Sequence, residues 1–244
     1  MTAPHENNDS SSNGHYHQLQ PSKEDVESTS TVAHAMSLNT RIALLVFGIL
    51  QNALMGGVIF GWASIDHTML AAERSEGGAA LTSEQTTVVF TWASSIALAA
   101  SLMLGAVLDF YGPRFCIILS CIIVALGAQT VAMSSDFASF AFGICTLAFG
   151  GIGVGPSIIH MSNLFPGNEY MVMGALSGSF ALSFSVFPTF NIIWGLHDTM
   201  TYQHVFGYYA RIVTVTAIVA YFAYPDKPYE KLEAASASCM ALMG

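Results

Sequence analysis

Apolar residues in this chain gather into six long runs, each closed by a short polar break. The runs reach from about Ile42 to Ile65, then 86–108, 115–134, 138–162, 171–194 and 205–224. A bilayer core about 30 Å thick takes roughly 20 helical residues at 1.5 Å each. Each run therefore predicts one transmembrane helix, and the whole predicts an all-α polytopic membrane protein with a single six-helix bundle over residues 41–225. Residues 1–40 are rich in Ser, Asn, His and Glu and cannot bury a core, which predicts a disordered tail. A second polar tail follows over residues 226–244.

The break between the second and third runs is the most structured. It reads Gly105-Ala-Val-Leu-Asp109-Phe-Tyr-Gly112-Pro113-Arg114. Asp109 closes a ridge of small residues, Ala93, Ala97, Ser101 and Gly105, spaced by four along one helix face. Such ridges let helices approach closely in lipid. Gly112 allows a tight turn, and Pro113 suits the first turn of the next helix. Arg114 can pair with Asp109 or with lipid phosphate.

Composition agrees with a membrane protein. Of 244 residues, 53% are hydrophobic and only 9% charged, against about 25% charged in soluble domains. The net charge of −9 sits mainly in the tails and the Asp66–Glu84 loop, and no basic cluster exists; nucleic acid is excluded as a partner on that ground. Cys116, Cys121 and Cys145 lie in apolar runs and Cys239 in a tail, with neither disulfide nor metal-ligand spacing. His5, His15, His17 and His34 are irregularly spaced and read as solvated tail residues, so no metal or cofactor is expected. From the polar start no cleavable signal peptide is expected, and the first helix is expected to serve as the insertion signal.

Polar residues inside the runs are the candidates for function. Gln51 and Asn52 fall near the middle of the first, where an amide facing lipid is expensive. They face another helix or a watery cavity. Gly48, Asn52 and Gly56 share one face, with Ala53, Gly57 and Gly61 beside it. The fourth run carries Gly143, Gly150, Gly151, Gly153, Gly155 and Pro156, which predicts a broken helix of the kind tolerated beside protein or water. His160 and Asn163 lie beyond the break; His160 reads first as a satisfied or surface histidine, second as a path lining. Ser177, Ala181, Ser185 and Thr189 share a face that reads first as close packing, second as a polar path lining. Arg211 is placed near one end of the sixth run, where it snorkels or, as the second reading, pairs with another group.

Lys23, Arg41, Arg114, Lys227 and Lys231 fall on one side and Arg74 alone on the other, which puts both termini in the cytoplasm. The sequon Asn8-Asp9-Ser10 is then idle. Hydroxyls are plentiful, but Ser177 and His160 form no evident nucleophile–base pair, so an enzyme is not expected.

The Gly105-x-x-x-Asp109-x-x-Gly112-x-Arg114 motif resembles the loop between the second and third helices of the major facilitator superfamily. Gln51-Asn52, Gly57, Gly61-Trp62 and Ser64 are similar to the first-helix pattern Glu-Asn…Gly…Gly-Trp-x-Ser of its sodium-independent L-type amino-acid facilitators. Thr87-Val-Val-Phe90-Thr91, Asp109-x-x-Gly-Pro-Arg114 and Gly178-Ser-Phe-Ala181…Phe187-Pro188 follow in the same order. The resemblance covers about Arg41 to Tyr229. Gln51 stands where that branch has an acid, and Phe110 and Phe115 where the loop usually has bases.

The resemblance implies the N-terminal six-helix half of a twelve-helix carrier, moving large neutral amino acids by alternating access between two bundles. It implies substrate-path roles for Gln51, Asn52, Gly57, Gly61, His160 and Asn163. It implies a gating role for Gly105, Asp109, Gly112, Pro113 and Arg114. The expected partners are membrane lipid, a neutral amino acid, and a second bundle that is either a missing C-terminal half or another copy. The plasma membrane is favoured over an internal one. Another small solute, such as a nucleobase or carboxylate, or a non-transporting half that assembles with a full carrier, remain as alternatives. The ending Ala234 to Gly244 is unlike a family ending, and the chain reads as truncated.

Overall fold

The computed structural model describes residues 36–165, 167–196 and 199–224. Most of both expected tails lies outside the described residues, but Leu38–Thr40 form the first turn of a helix. Ser37 caps it by accepting from the Thr40 N–H at 3.3 Å. This helix, α1 (Leu38–Met55), stops at Gly56-Gly57. The chain continues as a 3-10 segment Val58–Gly61, one α turn Ala63–Ile65, and a π segment Asp66–Leu70.

A reciprocal capping box between Thr82 and Gln85 starts α2 (Ser83–Ala132), whose 50 residues span about 75 Å if straight, more than twice a bilayer core. It is not straight. Gly112 sits at φ 83° and ψ 172°, a conformation closed to residues with a Cβ, and reverses the chain just before Pro113. The arm after this elbow folds back on the arm before it, so that the Cys116 thiol donates to the Leu104 carbonyl at 3.4 Å.

Beyond the elbow, Asp136 caps α3 (Phe137–Gly151) by accepting from Ser139 N–H and Oγ–H at 3.1 and 2.6 Å. Then come α4 (Val154–Ile158) and a 3-10 segment Ile159–Leu164. The next crossing is also divided, into α5 (Glu169–Leu182), a 3-10 turn Ser183–Ser185 and α6 (Val186–Leu196). A second capping box, Thr201 with His204, opens α7 (Tyr202–Ala223).

Five of these helical stretches are long and apolar enough to cross a membrane, with α2 counted once; among the described residues there is no strand. Large apolar side chains point outward all round, among them Leu98, Leu102, Phe142, Leu182, Val215 and Phe222. That much exposed apolar surface is untenable in water and ordinary against lipid.

Inside, close packing holds the bundle, since lipid offers helices no hydrophobic reason to associate. The tightest seam joins the second arm of α2 to α3, where Gly127, Gly143 and Gly150 bring backbones together. Arg74 donates to the Ser135 carbonyl, Tyr202 Oη–H and Gln203 Nε2–H to the Ser134 carbonyl at 2.8 and 2.7 Å, and Tyr202 N–H to the Gly77 carbonyl at 2.9 Å. These bonds fasten the loop after α1 to the α2–α3 turn and the start of α7.

Candidate functional site

Three crossings are interrupted at the same level. Residues 56–57 end α1, residues 151–153 separate α3 from α4, and residues 183–185 separate α5 from α6. These breaks touch. The Gly57 N–H, freed where α1 stops, donates to Ser183 Oγ at 2.7 Å. A Cβ on Gly151 would collide with the Met55 carbonyl. Backbone polar groups released in lipid must find partners or a wet cavity, and here the breaks partly satisfy one another.

Asn52 sits at the centre of this convergence and is 1% exposed. Its Nδ2 donates to Ser179 Oγ at 2.9 Å and to the Leu176 carbonyl at 3.1 Å, which ties α1 to α5. Its Oδ1 is buried and, among the described residues, accepts nothing; it lies against Gly56 at the end of its own helix, where a Cβ would collide with it, with Gly155 of the broken crossing next, where a Cβ would stand 3.5 Å away. Ser120 Oγ, on the neighbouring arm of α2 and against Gly153, is likewise buried without a hydrogen-bond partner. The Asn52 carbonyl can only accept, whereas the Ser120 hydroxyl can accept or donate, so the break leaves one bare acceptor and one free hydroxyl.

Gln51 is also 1% exposed, yet it is fully engaged. Tyr224 Oη–H donates to its Oε1 at 2.8 Å, and its Nε2 donates to Cys121 Sγ at 3.2 Å. Gln51 therefore bridges α1, α2 and the end of α7. Gly57 and Gly61 are packing positions against α5 and α6. A Cβ at Gly57 would lie 2.8 Å from the Phe180 ring and 2.9 Å from Phe184, and one at Gly61 would overlap the Phe184 carbonyl. His160 and Asn163 are half-buried in the 3-10 segment after α4, on the side where Arg41 donates to the Leu164 carbonyl at 3.2 Å. The structure thus gathers Asn52, Gly57 and Gly61 along one α1–α5–α6 seam, with Gln51 turned to the opposite neighbours.

At the elbow, Asp109 is exposed and, among the described residues, makes no ion pair. The Arg114 guanidinium lies 4.5 Å from the Tyr221 ring centre, which fixes the elbow to the end of α7 rather than to Asp109. Of the ridge, Ala93 and Ala97 are buried, but Ser101 is exposed and a Cβ added at Gly105 would meet nothing within 4 Å. Ser177, Ala181, Ser185 and Thr189 are all exposed, so their face packs against nothing in this bundle. The inward hydroxyls are instead Ser179 and Ser183, which the sequence pattern does not single out because hydroxyls occur on both faces of this crossing.

No protein-family model matches the chain. It is 23% identical over 211 residues to cationic amino acid transporter 8 of Plasmodium vivax, which covers 80% of this chain and 36% of that protein. It is 25% identical over 172 residues to the human large neutral amino acids transporter small subunit 3, covering 60% of this chain and 30% of that protein. Arginine transporter 1 of Toxoplasma gondii is 26% identical over 218 residues, covering 81% and 40% respectively. The chain spans well under half the length of the curated relatives it matches.

Proposed function

We propose that this chain is an amino-acid transporter of the major facilitator type, or the N-terminal half of one, working by alternating access without covalent chemistry or a resident cofactor. One observation carries the reading: three helices are interrupted at one depth around the unanswered Oδ1 of Asn52. Discontinuous helices at mid-membrane are where carriers hold solute. A carbonyl oxygen there suits the ammonium group common to amino acids, and the names of the relatives support the substrate class.

Neutral amino acids fit better than cationic ones. The fully buried polar residues among those described are Asn, Gln, Ser and Thr; the carboxylate with a buried oxygen, Asp66, lies in the π segment beyond the helix breaks, so a guanidinium or side-chain ammonium beside Asn52 would meet no countercharge. The exposed hydroxyl stripe on α5 and α6 (Ser177, Ser185, Thr189) and the one on α2 (Thr87, Thr91, Ser95) support a second bundle docked against these two crossings. In this reading α2 makes two crossings, both termini are cytoplasmic, Asp109 contacts the second bundle as a gate, and the plasma membrane is the site of action.

The test is uptake of labelled leucine and labelled arginine into vesicles holding the chain alone, and holding it co-expressed with the remainder of a full-length relative. Leucine uptake competed by unlabelled leucine supports the proposal. Arginine uptake without leucine uptake would overturn the substrate assignment. No uptake in either preparation would remove the transport reading.

A further inference from the structure

Arg211 is out of place for a surface anchor. Sequence position suggests the end of a run, but α7 begins at Tyr202 and ends at Ala223. Arg211 therefore lies about 13 Å from one end and about 18 Å from the other, close to the middle of the crossing. The helix cannot slide to lift it out. Its first residue is bonded to the Ser134 and Gly77 carbonyls, and Tyr221 near its other end is stacked on Arg114.

Nor does the bundle shelter the charge. α7 buries Val205, Phe206, Tyr209, Ala210, Val213 and Ala220. Arg211 is on the exposed side, among Tyr208, Ile212, Val215 and Ile218. Its guanidinium lies 5.4 Å from the Tyr208 ring centre, a contact that uses none of its five N–H donors for a hydrogen bond to an oxygen, and no acceptor for them is found among the described residues. Among the described residues it forms no ion pair. A cation at this depth facing hydrocarbon is expensive, and such residues face protein or water in membrane bundles.

We propose that the Tyr208–Arg211–Val215 face of α7 docks a membrane helix that presents an Asp or Glu at mid-depth, with its carboxylate forked onto the Arg211 guanidinium. A second copy of this bundle does not fit. Every Asp and Glu among the described residues, from Asp66 to Glu169, lies at a helix end, in a turn, or beside the Gly112 elbow. The occupant is a different helix, apolar along most of its length and acidic near its centre. A planar guanidinium favours bidentate pairing with a carboxylate.

The experiment uses the whole chain, fluorescently labelled, in uncharged phosphatidylcholine vesicles with synthetic Leu/Ala membrane helices carrying Asp, Asn or Leu at the central position. Energy transfer should report association of the Asp helix about tenfold stronger than the Leu helix. Arg211→Leu should bring the three within about twofold of one another. The charge-reversed pair, Arg211→Asp with a central-Lys helix, should restore association. Equal binding of the Asp and Leu helices to the natural chain would overturn the proposal. So would two other results: self-association of the chain lost in Arg211→Leu, pointing to a second copy, or stabilisation by phosphatidylglycerol that needs Arg211 and blocks the Asp helix, pointing to lipid phosphate. Because Arg211→Leu removes an exposed charge and its contact with the Tyr208 ring but no buried group, a thermal midpoint close to that of the natural chain in phosphatidylcholine confirms that the variant is folded.

Discussion

Gly143→Ala should destabilise the bundle even though it improves the local helix. Gly143 faces the second arm of α2, where a Cβ would stand 2.7 Å from Val131 Cγ2, 2.8 Å from the Val131 backbone nitrogen and 3.0 Å from the Gly127 carbonyl. Ordinary contact begins at 3.4 Å. Two of the three obstacles are backbone, so side-chain rotation cannot relieve the overlap and the helices must part by several tenths of an ångström. Overpacking of this kind costs about 1–3 kcal/mol, while replacing a helical glycine returns about 1 kcal/mol. With two of the three obstacles backbone, the upper part of that range applies and the overlap wins, leaving a net loss of up to about 2 kcal/mol. Gly178→Ala supplies the control, since a Cβ there meets nothing within 4 Å, and only the propensity gain remains. The propensity gain is common to both variants, so they differ by the overlap cost alone, roughly 2–12 °C at about 2–4 °C per kcal/mol for a chain of this size. Thermal midpoints from fluorescence-detected size-exclusion chromatography in mild detergent give the comparison. A Gly143→Ala midpoint at or above that of Gly178→Ala would show that α2 and α3 are not packed backbone to backbone.

Other expectations follow from the same structure. Asn52→Ala should cost only about 1 kcal/mol in stability, because Ser179 Oγ–H still serves the Leu176 carbonyl at 2.6 Å; leucine uptake should fall at least tenfold, and retained uptake would remove Oδ1 from the substrate site. Asp109→Ala should slow exchange while leaving the half-saturating concentration and the thermal midpoint unchanged; an unaltered exchange rate would refute the gate. The Asp136 carboxyl is held below its usual range by hydrogen bonds from the Ser139 side chain and then its backbone. A depressed folded value means that this stabilisation is complete above the ordinary aspartate range and is lost as pH falls through it. The natural chain should therefore lose midpoint below about pH 4 by more than Asp136→Asn does, and identical pH profiles would exclude a role for the cap.

Hydropathy makes the crossings legible because the need to match a bilayer is local to each run. The elbow is legible too, since Gly-Pro after an acid has few other uses, and Gly112 is where the backbone reverses. Helix starts are less so: Thr82 and Thr201 act through side-chain caps that hydropathy does not see, and they extend α2 and α7 beyond the apolar runs. The fates of neighbouring Gln51 and Asn52 are hidden for a different reason. Gln51 reaches partners 70 and 173 residues away and Asn52 partners 124 and 127 residues away, and no periodicity in a single helix reports such distances. Spacing alone selects the outward hydroxyl face of α5 and α6, Ser177 to Thr189, and passes over Ser179 and Ser183, which lie two residues out of phase and point inward. Arg211 reads too near an end for the same reason as the capped starts.

The coincidence in depth of the three interruptions has a mechanical meaning. A helix resists bending through its ladder of backbone bonds, and in three neighbouring rods that ladder breaks or tightens to 3-10 bonds where the rods touch. The two arms of α2 and α7 keep theirs, so the bundle pairs three jointed rods with three continuous ones. The end holding Tyr202, Gly77 and Ser134 is stitched laterally, so bending imposed on the jointed rods concentrates at Gly57, Gly151 and Ser183.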